Sequence, residues 1–377
     1  MTAQSQVRLK SAGREAILPE GMGRSISSAN TLCSMLAILG LGCSAPAEIR
    51  YETEHLRIAP TFDEPLCAGE IERFERHADR LEGLLGTRMK QPVTVYLWKT
   101  EEFPVGEYCA ESSIGCYRED EHAIYTTSLA LDHELVHAVA WDLGKPGDFF
   151  VEGVAEMLAF DRVLAGWDSP VTEIDKPRAE LSYRTAGHFS RWLWQHYGQG
   201  PFLDLLATEA QSSAALESIY GLSIDAAHEL YLAEAPYAYA PLHACEYPPL
   251  TEVEPGRWME SIHLDCDDVG TFGGPPGMGT SRVLEVEARA DFLLETDAES
   301  LSIALCPDED LPTEPVDFDP ALGDVPPVTS AFRGQYVLGL SGGGDVHVLD
   351  LVPGRYEITV GQQEIVSREV VLSVERP

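Results

Sequence analysis

Residues 133 to 137 read His-Glu-Leu-Val-His within the stretch SLALDHELVHAVAWDLGKPG. The stretch has helical periodicity, with Ser128 as its expected cap and Gly144 and Pro146 as its stop signal. On a helix, His133 and His137 are four residues apart and project from one face, one turn from each other. Two neutral imidazoles so placed can hold one zinc ion (Zn2+) at about 2.0–2.1 Å each. Zinc lowers the pKa of a bound water toward neutrality, and Glu134, beside the pair, would take its proton as it attacks a carbonyl. The plainer alternative is a surface helix carrying a histidine pair, which places no constraint on the residues that follow.

The residues that follow do fit a metal site. Catalytic zinc takes three protein ligands and keeps one open position. After a short loop, DFFVEGVAEMLAFDRVLAG (148–166) starts a second helix, with Asp148 as its expected cap. Glu152 and Glu156 lie one turn apart on it, so a carboxylate facing inward completes the ligand set while its neighbour holds a ligand histidine. The flanking residues Phe149, Phe150, Val151, Val154, Ala155, Leu158 and Ala159 predict a largely buried helix, where carboxylates need partners.

Together these phrases resemble the gluzincin metallopeptidases, the clan containing thermolysin and the aminopeptidase N-like enzymes. In that clan the HExxH motif is followed by a glutamate ligand, often within W-L-x-E-G-x-A-E. Here Phe-Val-Glu-Gly-Val-Ala-Glu (150–156) matches it, which implies Glu152 as the third ligand and Glu156 as the acid behind a ligand histidine. The 14 residues between His137 and Glu152 are few for aminopeptidase N-like enzymes and resemble the small bacterial peptidase MA-like proteins. Those proteins carry a later helix similar to YRTAGHFSRWLWQHYG (183–198), which implies Tyr183 as a hydrogen-bond donor to the developing oxyanion. Tyrosine packing at a helix start is the competing reading of Tyr183, and His188 and His196 read as packing histidines. The resemblance also implies an edge strand just before the HExxH helix, where a peptide adds as a further strand, and Ala123–Thr127 stands there. It covers roughly residues 90–235 and excludes two relatives. Metzincins need Gly and His where this chain has Ala140 and Leu143, and the aminopeptidase phrase Gly-x-Met-Glu-Asn is absent.

These residues must be positioned by a scaffold, and the pattern predicts an α+β one. Residues 50–240 alternate strand and helix signals: an amphipathic helix over Gly69–Leu85, strands at Pro92–Trp98 and Ala123–Thr127, and almost continuous helix from Ser128 to Ala240. This is the expected zincin-like metallopeptidase domain. Residues 241–377 change character, with short alternating segments separated by Gly, Pro and Asp, and predict an all-β, sandwich-like accessory domain. The glycines at 273–279 (GGPPGMG) read as a turn, because neither a helix start nor a lysine follows to make a phosphate cradle. The segment Pro307–Pro327, with seven acids and no base, lacks calcium-ligand spacing and reads as a solvated loop.

Arg8, Lys10, Arg14 and Arg24 precede an apolar run from Leu32 to Leu41, the layout of a secretory signal peptide over residues 1–42; Met22 offers a second start. The ending Leu-Gly-Leu-Gly-Cys resembles the lipobox of bacterial lipoproteins, which implies that Cys43 is acylated; a plain signal cleaved nearby is the alternative. Either predicts export, to the bacterial cell envelope or beyond it, with membrane contact only through a lipid anchor. Six further cysteines then suit an oxidising compartment; of their fifteen possible connectivities, sequence position favours Cys109 with Cys116 in a small loop, Cys266 with Cys306, and Cys67 with Cys245, and leaves the others open. The chain has 377 residues, with 62 acids against 26 bases and a net charge of −36, which argues against nucleic acid as a partner. The expected partner is a peptide or protein substrate. The rival reading is a catalytically silent binding or scaffold lipoprotein of the cell envelope.

Overall fold

A computed structural model describes residues 8–9, 47–110, 113–159, 164–165, 169–236, 238–239, 245–306, 338–341, 344 and 346–377. Cys43, the Leu32–Leu41 run and the acidic Pro307–Pro327 segment lie outside the described residues.

Alternation of apolar residues builds the first sheet. In Val93–Trp98 (β4), Val93, Val95 and Leu97 are buried on one face, while Thr94, Tyr96 and Trp98 turn to the other. Leu56–Pro60 (β3) and Ala123–Thr127 (β6) flank β4 in parallel. Tyr51–Glu52 (β2) lies antiparallel to β3, with Arg8–Leu9 (β1) outside it, and Gly115–Arg118 (β5) lies antiparallel to β6. The order is β1-β2-β3-β4-β6-β5. The edge strand is therefore β5, not Ala123–Thr127 as expected. The Cys109–Cys116 disulfide folds its loop back so that residues 115–118 pair along β6.

Helices cover one face of this sheet. In Ala68–Leu85 (α1), Ile71, Phe74, Ala78, Leu81 and Leu85 form the buried stripe, and Gly86 ends the helix in the left-handed region at φ 63°. Leu131–Ala140 (α2) carries the HExxH motif. A turn closed by Ala130 N–H donating to Thr127 O separates it from β6, so Ala130, not Ser128, stands at its cap, without a side-chain bond. Asp148–Leu158 (α3) takes Asp148 as its first residue, with Gly147 at the cap. Tyr183–Tyr197 (α4) starts from Ser182, whose hydroxyl accepts from Thr185 N–H at 3.2 Å. Gln199–Leu206 (α5), Ser212–Tyr220 (α6) and Ile224–Glu234 (α7) complete the helical layer, and Leu164–Ala165 (β7) pairs with Ala238–Tyr239 (β8). One apolar cluster runs from Leu56 and Phe74 through Leu135, Phe150 and Phe189 to Tyr231.

Beyond Cys245 the described residues form strands and the turns between them. One five-stranded sheet takes Val346–Leu351 (β16), Ala290–Thr296 (β13), Arg368–Glu375 (β18), Arg257–Leu264 (β10) and Glu252–Glu254 (β9) in that order. The other takes Thr271–Gly274 (β11), Gly277–Val286 (β12), Gly354–Gln362 (β17), Ser300–Leu305 (β14) and Leu338–Ser341 (β15). Alternate residues such as Ile262, Leu294, Leu372, Leu284, Ile303 and Ile358 join in a second core. The 273–279 stretch makes the expected turn: Pro275–Pro276 joins β11 to β12, with the glycines flanking it in the two strands.

Two expected disulfides are replaced. Cys67 pairs with Cys266, and Cys245 with Cys306. Cys266 follows β10 in one sheet while Cys306 follows β14 in the other, so nearness in sequence does not bring those two together. The Cys67–Cys266 bond ties the start of α1 to the β-rich part, where Cys67 N–H also donates to Gly273 O at 3.0 Å and Ala68 N–H to Cys266 O at 2.8 Å.

Candidate metal centre

Helix α2 buries both histidines: His133 is 6% and His137 8% exposed, beneath the cavity mouth. Their Nε2 atoms lie 3.2 Å apart. Glu152, fully buried on α3, points Oε2 at the same place, 3.2 Å from His133 Nε2 and 3.5 Å from His137 Nε2. Among the described residues this is the cluster of three donors able to hold a metal ion. The triangle has the dimensions of a ligand set. A tetrahedral ion with N and O ligands at about 2.0–2.1 Å sets its donors about 3.3 Å apart. The three edges observed fit that figure, and two imidazole nitrogens that face each other are more useful to a cation than to one another.

The supporting groups follow the same geometry. Glu156, one turn after Glu152, places Oε2 3.3 Å from His133 Nδ1, the outward nitrogen, at ion-pair distance. Tyr183 lies parallel to His133, with ring centroids 6.0 Å apart and an angle of 2°. Glu134 is 6% exposed, and its Oε2 has no hydrogen-bond partner among the described residues. A Cβ at Gly115, the first residue of β5, would stand 2.7 Å from Thr126 Oγ1 and 2.9 Å from Glu134 Oε1, so the edge strand passes close against that carboxylate. His133, Glu134, His137 and Tyr183 line a cavity of about 1000 Å³, bounded by β5, by α2 and by Arg178.

Glycines also set the helix spacing. A Cβ on Gly153 would lie 2.8 Å from Ala186 O, and one on Gly187 would lie 2.7 Å from Glu156 Cγ. The Glu-Gly-x-x-Glu phrase of α3 and the Tyr-x-x-x-Gly phrase of α4 thus interlock, bringing Glu152, Glu156 and Tyr183 to one site.

Electrostatics of the metal-free site are those of a cation-binding cluster. Burial disfavours a charged His133, but hydrogen bonds to Glu152 and Glu156 outweigh it and raise its pKa to about 9. Burial likewise works against ionised Glu152, yet His133, His137 and Arg178 hold it well below the usual carboxylate range. Burial and the Glu152 charge push the Tyr183 hydroxyl up, against the opposing effect of Arg178, so it is a neutral donor at ordinary pH.

The structure brings His133, Glu134, His137, Glu152, Glu156 and Tyr183 together. It adds Arg178, which the sequence reading missed: its Nη2 contacts Glu152 Oε1 and its Nε donates to the Tyr183 hydroxyl at 3.2 Å. No periodicity or spacing marks Arg178, which lies in a one-turn 3-10 segment, Arg178–Glu180.

No protein-family model matches the chain, and no curated protein matches it. Among solved structures it is weakly similar to the iron(II) form of HppE, at 8% identity over 50% of this chain and 97% of that one, with a TM-score of 0.14. It is as weakly similar to the hydroxypropylphosphonic acid epoxidase from S. wedmorenis, at 8% identity over 44% of this chain and 73% of that one, with a TM-score of 0.14. Likeness at that level carries no argument about fold or chemistry.

Proposed function

We propose that this chain is a zinc-dependent peptidase of the gluzincin type. The observation that carries the reading is the donor triangle of His133, His137 and Glu152, with the partnerless Glu134 Oε2 beside it at the cavity wall. A mixed sheet ending in an antiparallel edge strand, followed by the HExxH helix and a glutamate-bearing helix, supports a zincin-like fold. A divalent ion held there supplies Lewis acidity and lowers the pKa of water toward neutrality.

The protein's own groups do the rest. Glu134 Oε2 takes the proton of the attacking water and then delivers it to the leaving amine. Tyr183 donates a hydrogen bond to the carbonyl oxygen as charge develops on it. Glu156 keeps His133 in the tautomer that leaves Nε2 free. The outer edge of β5 offers backbone groups to an extended peptide entering the cavity.

The same reading puts the enzyme outside the cytoplasm, carried by the leader and held by lipid on Cys43. Three disulfides suit that compartment, and among the described residues no helix is long and apolar enough to cross a membrane.

Elemental analysis of purified protein should find about one zinc per chain, lost in His133→Ala and in His137→Ala. Glu134→Gln should keep the metal and lower kcat about 10²–10⁴-fold on a peptide substrate. Full activity in Glu134→Gln would refute the mechanism. Iron in place of zinc would refute the metal assignment, since two histidines and a carboxylate also suit iron(II). Absence of any metal after zinc supplementation would leave a silent scaffold.

A further inference from the structure

We propose that Arg178 is the positioning residue of this centre: it occupies one oxygen of Glu152, so that Glu152 meets the metal through Oε2 alone, and it holds the Tyr183 hydroxyl in place. The proposal rests on the peptidase reading of the site.

The two oxygens of Glu152 have different neighbours. Oε2 faces His133 and His137, whereas Oε1 contacts Nη2 of Arg178. A carboxylate beside a metal can ligate through one oxygen or through both. A cationic donor fixed on Oε1 favours the first mode and leaves a coordination position open for water and substrate.

Arginine suits the task for a geometric reason. Its planar fork presents Nη2 to Glu152 while Nε donates to Tyr183 at 3.2 Å, so one rigid group serves two partners. Lysine has a single nitrogen and cannot span both in the same way. The backbone supports that placement. Glu180 N–H donates to Pro177 O at 2.8 Å and Leu181 N–H to Arg178 O at 3.2 Å, closing a tight turn that leads into the Ser182 cap. Arg178 and Tyr183 are therefore held on one short, hydrogen-bonded segment. The Arg178 side chain is half-exposed at the cavity, while Glu152 is fully buried, so the guanidinium reaches inward from the wall to a carboxylate that solvent does not touch.

The test uses the full chain loaded with zinc, as wild type, Arg178→Met and Arg178→Lys. X-ray absorption reads the number of light atoms bound to zinc, peptide hydrolysis reads kcat and KM separately, and melting of the metal-free proteins reads folding. Arg178→Met should raise the coordination number by about one, as both Glu152 oxygens bind. It should also lower kcat about 10–100-fold with KM little changed, the usual scale for a partner of a metal ligand. Arg178→Lys should restore the wild-type coordination number, because a cation again sits on Oε1, while kcat stays reduced for want of the Tyr183 bond.

An unchanged coordination number in Arg178→Met would overturn the proposal and leave Arg178 as a simple counter-charge. Wild-type kcat in Arg178→Lys would overturn the Tyr183 half, and that variant keeps the test open if Arg178→Met does not fold. Absence of metal from the wild-type protein would instead overturn the peptidase reading, and this proposal with it.

Discussion

Replacing Gly153 by alanine sets two measurable effects against each other. Gly153 lies inside α3, one residue after Glu152. In an unobstructed helix interior, Gly→Ala stabilises by about 0.8–1.0 kcal/mol, because alanine loses less backbone freedom on folding. Here the new methyl would stand 2.8 Å from Ala186 O and 3.1 Å from Ala186 C, well inside ordinary van der Waals contact. Both are backbone atoms of α4, so no side-chain rotation relieves the clash and the helices must part by roughly half an ångström. Overpacking of this kind costs about 1–3 kcal/mol, which leaves a net loss of up to about 2 kcal/mol. Gly83 is the control: it lies in α1 with nothing within 4 Å of an added Cβ, so the identical substitution there should raise stability by about 1 kcal/mol. Activity should suffer more than stability in Gly153→Ala, because parting α3 from α4 separates Glu152 from Arg178 and Tyr183, and small misplacements at a reacting centre can cost about 10²-fold. Denaturant unfolding and peptide kinetics on both variants check this. If Gly153→Ala and Gly83→Ala shift stability by the same amount in the same direction, the close-packing explanation is wrong.

Glu156→Ala should weaken zinc binding about 10–100-fold in competition with a chelator, since it frees His133 Nδ1; unchanged affinity would show that Glu156 serves packing alone. Metal-free protein should be more stable at pH 6 than at pH 10. The folded pKa of His133, about 9, lies above the ordinary 6.5, so its contribution of about 3 kcal/mol is complete below pH 6.5 and is lost as pH rises through about 9. Glu152, held low, changes nothing in that window. Zinc should reverse the trend at the site, because a ligand histidine must be neutral and protons compete with the metal. His55, raised to about 9 by its hydrogen bond to Glu75, adds the same slope in both forms, so the zinc-minus-chelator difference in unfolding free energy isolates the site. A difference that does not grow with pH would contradict the assignment.

Much of this centre can be read from local spacing. A pair of histidines at i,i+4 needs only a helix to share a face, and the apolar neighbours of Glu152 announce that its carboxylate is buried. The choice of Glu152 as ligand and Glu156 as support comes from likeness to known phrases; α3 places Glu152 in the donor cluster and Glu156 beside His133. Arg178 was invisible because its partner lies 26 residues earlier, on another element, and a one-turn 3-10 segment has no period to detect. The edge strand was misassigned for a similar reason. Gly-Cys-Tyr-Arg carries no alternating pattern, and its place beside β6 depends on a disulfide-closed loop. Disulfide pairing depends on which sheet each strand joins, which is long-range information.

The β-rich part contributes none of the candidate site residues, yet it is joined structurally to the centre. Several of its contacts fall on the first turn of α1: the Cys67–Cys266 bond, the two backbone hydrogen bonds beside it, and Gly273 N–H donating to Glu70 Oε2 at 3.2 Å. At Gly69 a Cβ would lie 2.5 Å from Thr271 O, so the helix and β11 touch backbone to backbone. From that turn α1 reaches the start of the HExxH helix. Arg73, paired with Glu70 at 2.9 Å, lies 3.7 Å from Asp132 Oδ2, and His77 Nε2 is 3.4 Å from Asp132 O. Asp132 immediately precedes His133. Four residues thus carry a continuous set of contacts from the second core to the first candidate ligand. Metal centres demand positions held within a few tenths of an ångström, and a helix braced at both its cap and its face meets that demand better than one packed on the sheet alone.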